Sequence, residues 1–89
     1  MNVTTKVMVA NLTDDLPNLQ EGTSSLAVAI LQQLLIQEGY GANLPVTGFF
    51  GNETKTAVLN FQQAMSLQQD GIVGTHTWNA LAQFQSMGD

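Results

Sequence analysis

The chain of 89 residues contains no cysteine, two lysines, one histidine and no long apolar run near its start. Without cysteine there is no disulfide, no thiolate nucleophile and no Cys-ligated zinc, and the redox compartment stays open. Lys6 and Lys55 face seven acids, for a net charge of −5. Nucleic acid and anionic membrane surfaces demand a basic patch, which two separated lysines cannot make, so neither partner is expected. The opening "MNVTTKVMVANLTDD" holds only a four-residue apolar stretch, "VMVA". That is too short for the apolar core of a signal peptide and far too short to span a bilayer. The sequence therefore predicts no membrane insertion and leaves the localisation unknown, with a cytoplasmic protein possible.

What is present is globular in composition, with 44% hydrophobic residues, enough to expect a core rather than disorder. Residues 1–16 read as an N-terminal arm, either flexible or a short strand around Val3, Val7 and Val9. Ser25 is the expected N-cap of a helix over 26–38, in which Ala27, Ile30, Leu31, Leu34 and Leu35 share one face and Gln32, Gln33 and Gln37 fall mostly off it. Gly39 ends it. A second helix is expected over 52–65, with Thr54, Ala57, Val58, Phe61 and Met65 inward and Gln62 outward, and a third over 75–85 with Trp78, Leu81 and Ala82 inward. The tail 86–89 is expected to fray.

A pattern is written twice, 23 residues apart (71 − 48): "TGFFGNETKTAV" and "DGIVGTHTWNAL". Gly48 and Gly71 suit tight turns, and Gly51 and Gly74 open the following helices. Thr47 and Asp70 are the residues to accept backbone N–H groups in the turns. Thr54 and Thr77 fall near the third helical position, where a hydroxyl can bond the preceding loop backbone. Phe49 and Phe50 alternate in an extended step, so one of them points outward. The prediction is an all-α, compact three-helix domain over 17–85 with two loop-helix repeats packed on the first helix.

No catalytic constellation emerges. His76 is the sole histidine, so Ser24, Ser25, Ser66 and Ser86 lack the partners of a triad, and no set of ligands converges for a metal. The carboxylates Asp14, Asp15, Glu21, Glu38, Glu53, Asp70 and Asp89 sit mostly in turns or on outward faces, which suits a solvated surface rather than a hydrolytic pair. Trp78 reads as core, and the ten glutamines as helix-compatible surface residues. The chain is expected not to be an enzyme, and no cofactor is expected.

The blocks "EGTSSLAVAILQQLLIQEGY", "VTGFFGNETKTAVLNFQ" and "LQQDGIVGTHTWNAL" together resemble the peptidoglycan-binding domain of the three-helix type found in cell-wall hydrolases. The resemblance covers about residues 17–84 and includes Gly48, Phe50, Gly51, Thr54, Ala57, Val58, Phe61, Gln62, Leu67, Asp70, Gly71, Gly74, Thr77, Trp78 and Leu81. Thr47 stands where the family usually has Asp, Ser66 where it often has Gly, and Thr75 where it often has Pro. The resemblance implies non-catalytic binding of peptidoglycan, through its glycan strand or its stem peptide, and a place in the cell envelope. It also puts Phe50 in the core, leaving Phe49 for contact. The alternative from the same residues is a stand-alone protein-interaction or regulatory module.

A stem peptide carries carboxylates, and a helix N-terminus offers free N–H groups and partial positive charge. Glu53 at the second helix start opposes an anion, whereas the third helix opens "GTHT" without an acid and with a histidine. The expected ligand contact is therefore Gly74, Thr75 and His76, with Asn79 one turn on and Phe49 a further candidate.

Overall fold

The computed structural model describes residues 17–87, with side chains as far as Ala82. The N-terminal arm expected over 1–16 lies outside the described residues, as do residues 88–89. Three helices follow one another: α1 (Leu26–Gln37), α2 (Asn52–Ala64) and α3 (Thr75–Met87). Among the described residues there is no strand, only two isolated antiparallel bridges, so the all-α expectation holds.

Helix α1 starts where the sequence places it, because the Ser25 hydroxyl accepts the Val28 N–H at 3.3 Å. Its end is a paired turn in which the Gly39 N–H donates to Ile36 O and the Tyr40 N–H to Leu35 O, with Gly39 at φ +88. The same device ends α2: the Ser66 N–H donates to Gln63 O and the Leu67 N–H to Gln62 O. Here the left-handed position is held by Ser66, at φ 60, the one described non-glycine residue with positive φ. Helix α3 runs two residues past the expected end at 85, so Ser86 and Met87 of the expected frayed tail are helical.

The buried stripe of α1 is Val28, Leu31, Gln32 and Leu35. This corrects the sequence expectation by about one position: Ile30, expected inward, is 46% exposed, and Gln32, expected outward, is 1% exposed. Gln62 is likewise buried rather than outward. A polar side chain faces the core at low cost only when its hydrogen-bonding capacity is used. Both amides meet that condition in the turns they reach, and among the described residues no buried side-chain N or O lacks a partner.

The core joins Leu19, Leu31, Leu35, Phe50, Val58, Phe61, Val73, Trp78 and Leu81. Tyr40 meets Phe61 edge to face, with centroids 5.4 Å apart and planes at 82°, an arrangement favoured by the ring quadrupoles. Trp78 is buried as expected, and its indole N–H donates to the Pro17 carbonyl at 3.1 Å.

An extended segment ahead of α1 ties the two turns together. Leu19 and Val73 exchange two backbone hydrogen bonds, at 3.0 and 2.8 Å. A few residues on, Gly22 N–H donates to Phe50 O, Phe50 N–H to Thr23 O, and Ser25 N–H to Gly48 O. One short stretch thus pairs with both copies of the repeat.

Candidate functional site

Each turn is closed by a buried glutamine from the helix before it. Gln32 Nε2 donates to Phe49 O and Thr54 Oγ1, both at 3.0 Å, while its Oε1 accepts the N–H groups of Thr47 and Gly48, also at 3.0 Å. Gln62 Nε2 lies 3.1 Å from Asp70 Oδ1, 2.9 Å from Ile72 O and 3.2 Å from Thr77 Oγ1, and its Oε1 accepts the Gly71 N–H at 3.1 Å. Thr54 and Thr77 therefore accept from a side-chain amide, which corrects the expectation that their hydroxyls bond the preceding loop backbone. A planar carboxamide offers donors and an acceptor side by side, which is what a tight turn with free N–H and C=O groups on one side requires.

The remaining turn chemistry is as the residue types imply. The Phe49 N–H donates to Thr47 Oγ1 at 3.1 Å, and the Ile72 N–H to Asp70 Oδ1 at 2.9 Å. Gly48 and Gly71 adopt φ +81 and +73, in the region that L side chains avoid. Phe50 is fully buried and Phe49 is 50% exposed, as the extended step requires. The Phe49 ring lies over Gly51, where a Cβ would sit 3.3 Å from Phe49 Cε2 and 3.6 Å from Glu53 Oε1.

Beside the second turn is an open groove of about 480 Å³. Its walls include Asn18, Gln68, Asp70, Gly74, Thr75 and His76. The structure thus brings together three of the expected contact residues, Gly74, Thr75 and His76. Asn79 lies on α3 outside that lining and is half-buried, and Phe49 belongs to the other turn. The Trp78 N–H is bonded to Gly74 O, so the amides of Thr75, His76 and Thr77 precede the α3 ladder, as first-turn amides do. Thr75 and His76 are exposed.

A second groove, of about 310 Å³, lies beside the first turn, between the chain following α1 and the outer face of α2. Tyr40, Asn43, Asn52, Glu53, Thr56 and Asn60 line it. Sequence reasoning missed this groove, because its residues come from a loop and a helix face that no shared motif links. The nearest signal was the pair Asn52 and Asn60, about two turns apart on the exposed side of α2.

The electrostatics of both grooves are simple. Among the described residues, Asp70 and Glu53 are the only acids in their respective linings, and no lysine lines either. Lys55 is drawn to Glu21, 3.6 Å away, and its stem lies across Gly71, where a Cβ would meet Lys55 Cγ and Cε at 3.3 Å. Among the described residues no three of His, Asp and Glu converge as a metal site would require, and no helix is long and apolar enough to cross a membrane.

A family model described as "Putative peptidoglycan binding domain" matches residues 24–81, a span that includes both turns, the whole of α1 and α2 and the first half of α3. A zinc D-Ala-D-Ala carboxypeptidase of Streptomyces albus G is 46% identical over 68 residues, which are 75% of this chain and 27% of that enzyme. An uncharacterised protein from the bpoA1 3′ region of Kitasatospora aureofaciens is 39% identical over 72 residues, covering 81% of this chain and 61% of the relative. The chain thus spans between about a quarter and three fifths of the length of these relatives. Among solved structures, a peptidoglycan-binding protein from Clostridioides difficile, in complex with glutamine hydroxamate, is similar with a TM-score of 0.73 and 34% identity, over 76% of this chain and 42% of that one. The SleB N-terminal domain is similar with a TM-score of 0.73 and 34% identity, over 76% of this chain and 92% of that domain.

Proposed function

The chain belongs to the peptidoglycan-binding domain family, and on that premise we propose that it holds its bearer on the cell wall by binding peptidoglycan without chemistry of its own. The observation that carries the reading is the position of the family match, which takes in both glutamine-closed turns and most of both groove linings. The hydrolytic activity in the name of the Streptomyces carboxypeptidase belongs to that protein, of which this chain covers 27%. A wall-binding domain works in the cell envelope.

The groove beside the second turn takes the stem peptide. Gly74, Thr75 and His76 supply first-turn amides and exposed polar side chains at the end of α3 where partial positive charge is concentrated. Asn79 extends the contact one turn along α3, outside the groove lining. Asp70 is held in the turn by Gln62 and Ile72 and adds a fixed carboxylate on the groove wall.

Sedimentation with purified insoluble peptidoglycan tests the function: the chain is expected in the pellet, and its absence there across pH and salt would overturn the reading. For the groove, an NMR titration with muropeptides is expected to move the amides of Gly74, Thr75, His76 and Asn79. If those four stay still while others shift, the stem-peptide assignment is wrong.

A second reading has one observation in its favour. Leu26, 77% exposed, and Ile30 one turn on place apolar surface on the outside of α1, and exposed apolar surface marks contact sites. A neighbouring protein or domain docks there. A concentration-dependent shift in sedimentation coefficient that Leu26→Asp abolishes would support it, and ideal monomer behaviour with the chain's natural partner present would remove it.

A further inference from the structure

We propose that the groove beside the first turn is a separate glycan-reading site, so that the domain meets sugar at its first turn and stem peptide at its second. The proposal rests on the peptidoglycan reading above. Its starting point is a contrast between carboxamides. Gln32 and Gln62 are buried and use their amides on the turns, whereas Asn43, Asn52 and Asn60 are exposed around one groove and their side chains make no hydrogen bond to another described residue.

Three carboxamides with free donors and acceptors, plus the Thr56 hydroxyl, match a ligand that is itself dense in hydroxyl and acetamido groups. The same groove has an apolar side. Leu44 and Ala57 are buried in its lining, and Tyr40 is fixed there by its edge-on contact with Phe61. A pyranose ring pairs polar edges with an apolar C–H face, and both halves of the groove find a counterpart in it. Phe49 lies outside that lining, its half-exposed ring over Gly51, which leads into Asn52 and Glu53 of the groove.

Charge decides between sugar and peptide. Glu53 lines this groove from the first turn of α2, so a carboxylate-bearing stem peptide meets repulsion here that the first turn of α3, which holds no acid, does not impose. A neutral amino sugar meets none, and the carboxylate can accept its hydroxyls.

The test uses the isotope-labelled full chain and two separate probes, the peptide-free tetramer of N-acetylglucosamine and a stem tripeptide carrying no sugar. The tetramer is expected to shift the side-chain NH₂ signals of Asn43, Asn52 and Asn60 while leaving the amides of Thr75 and His76 in place. Asn60→Ala is expected to weaken tetramer binding at least fivefold without altering the Tm, and Phe49→Ala to weaken it by a smaller factor. A tetramer that moves none of the three carboxamides, or moves the second groove instead, overturns the proposal. So does full tetramer affinity in both Asn43→Ala and Asn60→Ala. The two levels separate cleanly: failure to pellet with whole peptidoglycan removes the functional reading itself, whereas pelleting with unmoved carboxamides removes the glycan site alone.

Discussion

Gln32 and Gln62 occupy equivalent places in successive units: each is 1% exposed in the stripe of its helix, and each reaches forward to bind a threonine hydroxyl and a turn-glycine N–H in the next unit. The internal repeat is therefore more than a doubled turn. It is a unit of helix, amide and turn, in which the amide sets where the next helix begins.

Replacing Gln62 by the near-isosteric Met tests this directly. Gly71 N–H, in a buried bond, and Ile72 O, in a partly buried one, lose their side-chain partner. Each buried group left unsatisfied costs roughly 1–3 kcal/mol. A loss on the order of 3 kcal/mol is expected in urea denaturation, and a loss under about 0.5 kcal/mol would mean that the turn holds itself.

Ser66→Gly is expected to stabilise the domain. Ser66 sits at φ 60, where an L side chain costs roughly 1–2 kcal/mol, and glycine recovers that less its greater freedom in the unfolded chain. A net gain of about 1 kcal/mol raises the Tm by roughly 4–8 °C in a domain of this size. Differential scanning calorimetry reads it.

Gly48→Ala runs the other way. Its φ is +81, and a Cβ would stand 3.3 Å from the Ser25 carbonyl oxygen, which is backbone and cannot swing aside. Destabilisation of about 2 kcal/mol is expected, measured by the same melts, with the expected penalty larger than for Gly22→Ala, where nothing lies within 4 Å of a Cβ.

Lys55 separates charge from packing. Its partner Glu21 is half exposed, so the pair contributes little, whereas its stem covers Gly71. Lys55→Met is expected to leave stability within about 0.5 kcal/mol, while Lys55→Ala lowers it further. Equal losses in the two variants would assign the effect to the ion pair.

Most of the helical framework is legible in the sequence, because caps and glycines are local signals: Ser25, Gly39, Gly48 and Gly71 each do what their residue type does best. The stripe of α1 was misread because periodicity counts apolar residues, and Gln32 displaces Ile30 from the inner face by virtue of hydrogen bonds to residues 15–22 positions away. Ten glutamines look alike in a sequence. The one signal that set two of them apart was their position right after Leu31 and Phe61, inside the blocks that carry the family resemblance. At the candidate site, Gly74, Thr75 and His76 could be read together because they are consecutive. The first groove could not, since its asparagines meet only once the chain after α1 folds back along α2.

The pairing of Leu19 with Val73 closes a loop of 54 residues (73 − 19). Such long-range contacts are costly in chain entropy until the intervening elements are in place. The contacts of the first turn are complete with residues up to Thr54, but those of the second also join Val73 to Leu19, ahead of α1. The domain's own beginning serves as the latch for its final helix.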